Sequence, residues 1–199
     1  ELFIPNGETV LHEDDKVIFM GLSHSLDILA GKFFHEKEFV KTVAIIGGGN
    51  VGLKLAKSLE ALKLNIKIVE KDEERCRFLA QELENTLVIN GDGTDIELLN
   101  EEEISDADVV VSVTNNDEKN LLCSLLVKHM GAGRVISRVS KSTNVALFEK
   151  VGIDIAISSK TAALNEIKNN VKETNIGILA TVEQGKGEVL VIEIPEHYE

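Results

Sequence analysis

The sequence predicts an α/β fold built around a doubly wound parallel sheet. Three observations support this: apolar runs of strand length alternate with amphipathic helical segments, a glycine-rich turn joins the first strand to its helix, and an acidic residue ends the second strand. Strands that alternate with helical crossovers lie parallel to one another. We therefore expect six parallel strands, with any ligand at their carboxyl ends near the point where the strand order reverses.

The glycine-rich turn follows a strand predicted at residues 43–46. Gly47, Gly49 and Gly52 form a G-x-G-x-x-G pattern before an amphipathic helix. In such a turn the first glycine allows a sharp bend, the second lets the backbone approach a pyrophosphate, and the third lets helix and strand pack closely. The phosphates would lie at the helix N-terminus, where free N–H groups and the helix dipole favour anions.

The second strand, predicted at 66–69, ends at Glu70. A carboxylate at this position commonly binds the hydroxyl pair of a ribose. Glu70 has two other interpretations, as one member of the solvated charge cluster at 70–74 or as a partner for the dipole of the next helix. We favour the ribose, because Glu70 directly follows the last apolar residue of the strand.

The alternation of helices and strands continues along the chain. Helices are predicted at 73–83, 96–99, 117–130 and 143–150, and strands at 86–89, 109–113, 135–139 and 153–157.

Polar residues follow the later strands. Asp92 could accept a hydrogen bond from an adenine amino group or a ribose hydroxyl. The alternative is that its loop is only a turn before a helix with an N-cap residue. Thr114 and Asn115 could contact ribose or phosphate, with helix capping as the alternative. Arg138 could neutralise a phosphate or pair with a surface carboxylate.

Composition excludes several classes of function. The 199 residues are 43% hydrophobic and carry a formal net charge of −13, which argues against nucleic acids and anionic membrane surfaces as partners. No apolar run approaches the roughly 18 residues of a membrane span, and we expect a soluble cytoplasmic protein without direct membrane insertion. Cys76 and Cys123 fall in predicted helices, where we expect them to be packing residues. The histidines do not have the spacing of zinc ligands, and no sequence motif of a catalytic nucleophile occurs. We predict no catalytic residue and no metal site.

The two ends of the chain depart from the central pattern. Residues 17–20 are strand-like, and alternating β segments at 177–183 and 188–194 surround a glycine-containing turn. We expect incomplete β-rich modules at both ends. Because the chain begins at Glu1 without a methionine, we also expect a fragment of a longer protein.

Five segments of the chain resemble a known family, the RCK or KTN domains, and in particular the TrkA-type regulatory subunits of potassium uptake systems. The matching segments are GGGNVG at 47–52, IVEKDEER at 68–75, GDGTDIELLNEEEI at 91–104, ADVVVSVTNNDEKN at 107–120 and DIAIS at 154–158. The third segment is far more specific than the glycine turn.

The resemblance implies a domain organisation. It places a Rossmann-like nucleotide-binding domain, RCK-N or TrkA-N, at 41–160, the end of a preceding RCK-C-type module at 1–36, and a crossover helix with the start of a second RCK-C module at 161–199. Asn50 and Glu70 resemble the second of the two tandem copies that TrkA-type subunits carry.

The resemblance also implies ligand contacts. Pyrophosphate would contact the loop, adenosine ribose would contact Glu70, the second ribose would lie near Thr114 and Asn115, and a phosphate would meet Arg138. The loop residues are Gly47, Gly48, Gly49, Asn50 and Val51. The predicted site also includes Gly52, from the glycine pattern, and Asp92, from its place after the third strand. Members with arginine at position 50 gain a cation there, and its absence leaves the choice between NAD(H), which we favour, and ATP or ADP open.

The function implied is that of a cytosolic regulatory subunit, peripheral at the inner face of the membrane, that gates a Trk- or Ktr-like potassium transporter in response to its nucleotide. We expect at least a homodimer, with Leu164 and Ile167 of a helix at 161–171 in the contact. The alternatives are an RCK domain of a potassium channel and an NAD-dependent dehydrogenase, although no Tyr-x-x-x-Lys pair and no well-placed histidine supports the latter.

Overall fold

The computed structural model describes residues 4–13, 17, 19–33, 40–171, 176–182 and 187–192. In chain order the helices are α1 Ser23–Phe33, α2 Asn50–Glu60, α3 Glu73–Glu82, α4 Ile96–Glu101, α5 Asp117–His129, α6 Val145–Lys150 and α7 Ser159–Val171. The strands are β1 Thr42–Ile46, β2 Asn65–Glu70, β3 Thr86–Asn90, β4 Val109–Ser112, β5 Arg134–Val139, β6 Ile155–Ser158, β7 Ile176–Val182 and β8 Gly187–Ile192. The chain divides into two compact units, one of residues 40–167 and one that combines 1–39 with 168–199.

The unit of residues 40–167 contains a six-stranded sheet in the order β3-β2-β1-β4-β5-β6. Every pair of neighbouring strands is parallel. The chain moves outward from β1 to β3, returns to β4 beside β1, and then moves outward in the other direction. The predicted doubly wound parallel sheet is confirmed, and its order reverses between β1 and β4.

Both faces of the central strands β1 and β4 are buried, which explains why these two strands are continuous apolar runs. Val43 and Ile45 of β1 belong to a cluster with Ala56 of α2 and Leu79 of α3. The alternate residues of β1 face a second cluster that includes side chains of α4, α5 and α6. Cys76 and Cys123 are buried free thiols within α3 and α5, as the sequence predicts.

The predicted elements of this unit all occur, with small differences at their ends. The helix predicted at 143–150 is a 3-10 turn, Ser142–Asn144, followed by α6. The last strand begins at Ile155 rather than at Ile153, because Gly152, at φ +105°, and Ile153 close the end of α6. Gly152 N–H donates to Glu149 O at 3.1 Å, and Ile153 N–H donates to Phe148 O at 3.1 Å.

In the other unit, the strands β7 and β8 pair as an antiparallel hairpin. The two β segments predicted there are confirmed over these ranges, and residues 183, 193 and 194 lie outside the described residues. The strand predicted at 17–20 is wrong for residues 17, 19 and 20, which have no regular secondary structure, while residue 18 is not described. Local β propensity does not supply a pairing partner, so an apolar run alone cannot fix a strand. Within the described ranges, no helix is long and apolar enough to cross a membrane.

Candidate nucleotide-binding site

A cleft of about 210 Å³ opens at the carboxyl ends of the strands, where the strand order reverses. Six of the residues predicted to bind a ligand line it: Gly47, Gly49, Glu70, Asp92, Thr114 and Asn115. The cleft also contains Lys71 and Lys119, which the sequence analysis did not single out. The topology therefore brings the ends of β1, β2, β3 and β4 together at the place where such sheets bind ligands.

A larger cavity of about 290 Å³ lies at the opposite end of the sheet. Thr42, Asn65 and Asn85, which line it, precede or begin their strands. Size alone would favour this cavity. We assign the ligand to the smaller cleft, because ligands of doubly wound sheets bind beyond the carboxyl ends of the strands.

The glycine turn has the geometry that close backbone approach requires. Gly47 adopts φ +113°, and a Cβ there would lie 2.9 Å from Thr114 N. A Cβ at Gly52 would lie 2.0 Å from Gly47 O, so α2 can start against the turn only with glycine at that position. A Cβ at Gly49 would meet nothing within 4 Å. The space that a Cβ on Gly49 would occupy is therefore open.

The N-terminus of α2 has no side-chain cap. Its N-cap residue is Gly49, and Asn50 and Val51 follow on the exposed first turn. The next three helices, by contrast, have side-chain caps, because Asp72, Asp95 and Asn116 accept hydrogen bonds from their first-turn N–H groups. The N–H groups of the first turn of α2 are therefore the donors that an anion in the cleft would meet.

Glu70 is fixed by the backbone on both sides of its carboxylate. Its Oε2 accepts from Gly48 N–H at 2.7 Å, and its Oε1 accepts from Asp72 N–H at 2.9 Å. Each oxygen keeps a lone pair for a further donor such as a ribose hydroxyl. Arg75 of α3 adds a second restraint, because its Nε donates to Gly48 O at 2.6 Å while its guanidinium lies 4.7 Å from the centre of the Phe78 ring.

Asp92 is surrounded by donors of its own chain. It accepts from Lys71 Nζ at 3.0 Å, from Lys119 Nζ at 3.1 Å, and from the N–H and hydroxyl of Thr94 at 3.1 and 3.0 Å. The hydrogen bond from Lys71 is the main cause that holds the pKa of Asp92 well below its ordinary value, although burial opposes it. The spare donors at this corner are the ammonium N–H groups of the two lysines. The capping alternative is also realised nearby, since Asp95 caps α4.

The polar residues after β4 and β5 contact one another. Arg138 donates from Nη1 to Thr114 O at 3.3 Å and to Asn115 Oδ1 at 3.2 Å. Its Nε is buried and, among the described residues, has no hydrogen-bond partner. Arg138 therefore lies against the Thr114 turn, and its charge also acts on the nearby carboxylate of Asp117. Asn116 performs the capping that the sequence offered as an alternative for this segment, accepting from Lys119 N–H at 2.6 Å.

The contact between Lys119 and Asp92 could not have been found from the sequence. Lys119 lies 27 positions from Asp92, and no spacing rule predicts their contact. Cys123 also lines the cleft, but burial raises the pKa of its thiol to about 11, so it is not a nucleophile at neutral pH. Among the residues that the structure describes, no group of three His, Cys, Asp or Glu side chains could hold a metal ion.

Comparisons with known proteins show what this chain is similar to. The family model described as TrkA-N domain matches residues 43–159. The chain is 43% identical to the Trk system potassium uptake protein TrkA homolog 2 of Methanosarcina mazei, over 96% of this chain and 43% of that protein. It therefore spans less than half the length of this relative.

Solved structures share the fold at low identity. The GsuK channel bound to NAD superposes with a TM-score of 0.60 at 17% identity, covering 80% of this chain and 30% of that one. The structure of GsuK bound to ADP gives a TM-score of 0.58 at 16% identity, covering 76% of this chain and 41% of that one.

Proposed function

Because the chain belongs to the TrkA-N domain family, we propose that it is a nucleotide-binding regulatory part of a potassium uptake system, and that NAD(H), or else ATP or ADP, gates the transporter. One observation carries the nucleotide-binding part: the open face of Gly49 and the uncapped N-terminus of α2 meet the fixed carboxylate of Glu70 in one cleft. A pyrophosphate binds the free N–H groups of a helix N-terminus, and the neighbouring ribose binds a carboxylate at the end of the next strand.

In the proposed complex, the pyrophosphate contacts the turn of Gly47 to Gly52 with Asn50 and Val51, and the adenosine ribose contacts Glu70. Asp92 with its two lysines forms the wall beyond the adenosine. Thr114, Asn115 and Arg138 face the second ribose or a phosphate.

A dinucleotide is the ligand we favour. Polar groups stand on both sides of the point where the strand order reverses, Glu70 on the side of β2 and Thr114 with Asn115 on the side of β4. A dinucleotide has a ribose for each side, whereas ATP or ADP has one. GsuK, which is another protein, has been solved with NAD and with ADP. These two structures support either ligand in this fold.

Gating requires that the ligand bind two arrangements of the protein with different affinity. We propose that two copies of the chain form a dimer and that the ligand changes the arrangement of the two copies. The membrane-embedded transporter subunit, of Trk or Ktr type, would respond to this change. Leu164 and Ile167 of α7 are 50% and 58% exposed, which supports a contact there. The name of the Methanosarcina relative supports potassium uptake as the process. The protein would then be cytoplasmic and peripheral to the membrane. Residues 1–36 would be the end of a preceding RCK-C-type module, and 161–199 a crossover helix with the start of a second one.

A dehydrogenase is the competing function. It needs a group that exchanges a proton with the substrate beside the nicotinamide. Within the described cleft, no histidine or tyrosine contributes to the lining, and the ammonium groups of Lys71 and Lys119 both pair with Asp92, which supports a regulatory rather than a catalytic role.

The experiment that tests this proposal is identification of the nucleotide that copurifies with the chain, by mass spectrometry of the denatured protein. NAD(H), ATP or ADP at near one per chain would support it. A cofactor-reduction assay over a panel of alcohols and hydroxy acids serves as the control. Steady turnover there would refute the regulatory role in favour of a dehydrogenase.

A further inference from the structure

Asn120 of α5 occupies the buried centre of the polar contacts beside the cleft. Its side chain is fully buried. Its Oδ1 accepts from the N–H of Thr114 at 2.8 Å and from the hydroxyl of Thr114 at 2.6 Å. Its Nδ2 donates to Thr114 O at 3.1 Å and to Arg138 O at 3.0 Å. The four hydrogen bonds that an asparagine amide can make are therefore all made within the protein.

Asn120 does not line the cleft, but both residues that it holds belong to the proposed site. Thr114 stands directly against the glycine turn, since a Cβ on Gly47 would lie 2.9 Å from Thr114 N. The carbonyl of Thr114 also accepts from Arg138 Nη1 at 3.3 Å. A shift of the Thr114 backbone would thus move one wall of the cleft and the guanidinium of Arg138 together.

We propose that Asn120 is a positioning residue that fixes Thr114 and Arg138 for the second-ribose half of a bound dinucleotide; this rests on the proposed function. A fully satisfied buried polar network is rigid, whereas a partly satisfied one leaves unpaired backbone groups that relax toward water. Loss of Asn120 would remove the acceptor of the Thr114 N–H and one of the two donors to the Thr114 carbonyl, leaving only Arg138 Nη1 on that oxygen. The adenosine half of the site, which depends on Glu70 and the Gly48 amide, shares no hydrogen bond with Asn120.

We expect variants of Asn120 to fold, because a second contact joins α5 to the segment after β5. Both carboxylate oxygens of Asp117, one turn earlier on α5, accept from Ser140 N–H at 2.9 and 3.0 Å. This contact joins the start of α5 to the segment after β5 without Asn120. Ser124, one turn later on α5, offers a matched control, because it is equally buried and, within the described residues, its hydroxyl has no partner.

The test compares two ligands by titration calorimetry on the whole chain and its variants. NAD⁺ spans both halves of the site, and AMP occupies only the adenosine half. We expect Asn120→Ala to weaken NAD⁺ binding by about tenfold or more and AMP binding by less than about twofold. Ser124→Ala should leave both affinities unchanged. If Asn120→Ala does not fold, Asn120→Ser, which keeps a hydroxyl near the position of the amide carbon, takes its place.

Each outcome decides between the two claims. Equal losses for NAD⁺ and AMP, or no loss for NAD⁺, would overturn the positioning role while leaving the proposed function intact. Failure of both Asn120 variants to fold would assign Asn120 to domain stability and overturn the role as well. If the unmodified chain bound neither ligand, the proposed function itself would fall, and the inference with it.

Discussion

The carboxylate of Glu70 accepts a hydrogen bond of 2.7 Å from the backbone N–H of Gly48. The end of β2 is thereby joined to the glycine turn that follows β1, and the acid that the sequence assigns to a ribose is held before any ligand arrives. A preorganised acceptor does not have to lose side-chain freedom when the ligand binds.

This placement predicts a preference for NAD(H) over NADP(H). A 2′-phosphate would face the carboxylate of Glu70 in a partly desolvated site, at a cost on the order of 1 to 3 kcal/mol, or about 10 to 100 in affinity. Glu70→Gln should reduce the ratio of the affinity for NAD(H) to the affinity for NADP(H). Competition titrations with the two cofactors measure it.

Glu73→Gln is the control for this prediction. Glu73 belongs to the same charged segment, but it is exposed and pairs with Arg77 on α3. Equal affinities of the unmodified chain for NAD(H) and NADP(H) would show that Glu70 does not meet the 2′ position.

Gly52→Ala should damage the fold as well as the site. The added Cβ would lie 2.0 Å from the carbonyl oxygen of Gly47, a backbone atom that cannot move without opening the glycine turn. We expect a loss of about 1 to 3 kcal/mol in the free energy of unfolding, measured by urea denaturation. A Gly52→Ala variant with unchanged stability would contradict the close packing of α2 on the turn.

The sheet, the glycine turn and the position of the candidate site residues at the strand ends could be predicted because they follow from local patterns. Apolar runs buried on both faces specify parallel strands, and the glycines are required by contacts with residues near in sequence or at the next strand end. The contacts of Lys119 with Asp92 and of Asn120 with Arg138 could not be predicted. They join elements that only the sheet order brings together, and they depend on the direction of single side chains. The strand wrongly predicted at 17–20 shows the same limit, since pairing is a tertiary property.

Acid should destabilise the unit of residues 40–167, partly because the carboxylate of Asp108 becomes protonated. Its Oδ2 accepts from Lys41 N–H at 2.7 Å and from the N–H and hydroxyl of Thr42, both at 2.9 Å, and these bonds lower the pKa of Asp108. A carboxyl whose pKa is lower in the folded state stabilises the fold above its unfolded pKa of about 3.9, and loses that contribution as the pH falls through the folded value.

The measurement is the midpoint of urea denaturation between pH 2 and 7. Asp108→Asn should lower the midpoint at neutral pH and flatten its fall below about pH 4. Asp106→Asn, at an exposed neighbouring position, is the control and should follow the unmodified chain. A profile of Asp108→Asn parallel to that of the unmodified chain would exclude this contribution.

Ile167→Asp should weaken self-association. Ile167 is 58% exposed and shares an apolar stripe of α7 with Leu164, so an aspartate would leave an unpaired charge in the proposed contact. Ala162→Asp, on the same helix but off that stripe, should have a much smaller effect. Sedimentation equilibrium at micromolar concentration measures both, and a monomeric unmodified chain, with or without nucleotide, would contradict the contact and the gating built on it.

Titration of NADH into the unmodified chain and into Gly49→Val tests whether a nucleotide binds at the glycine turn. The Cβ position of Gly49 meets nothing within 4 Å, so valine fits the folded protein but fills the space that a pyrophosphate needs. We expect calorimetric binding at about one site per chain in the unmodified protein. In the variant, shown to be folded by circular dichroism, we expect none. Binding of NADH to Gly49→Val with unchanged affinity would refute a nucleotide site at the glycine turn.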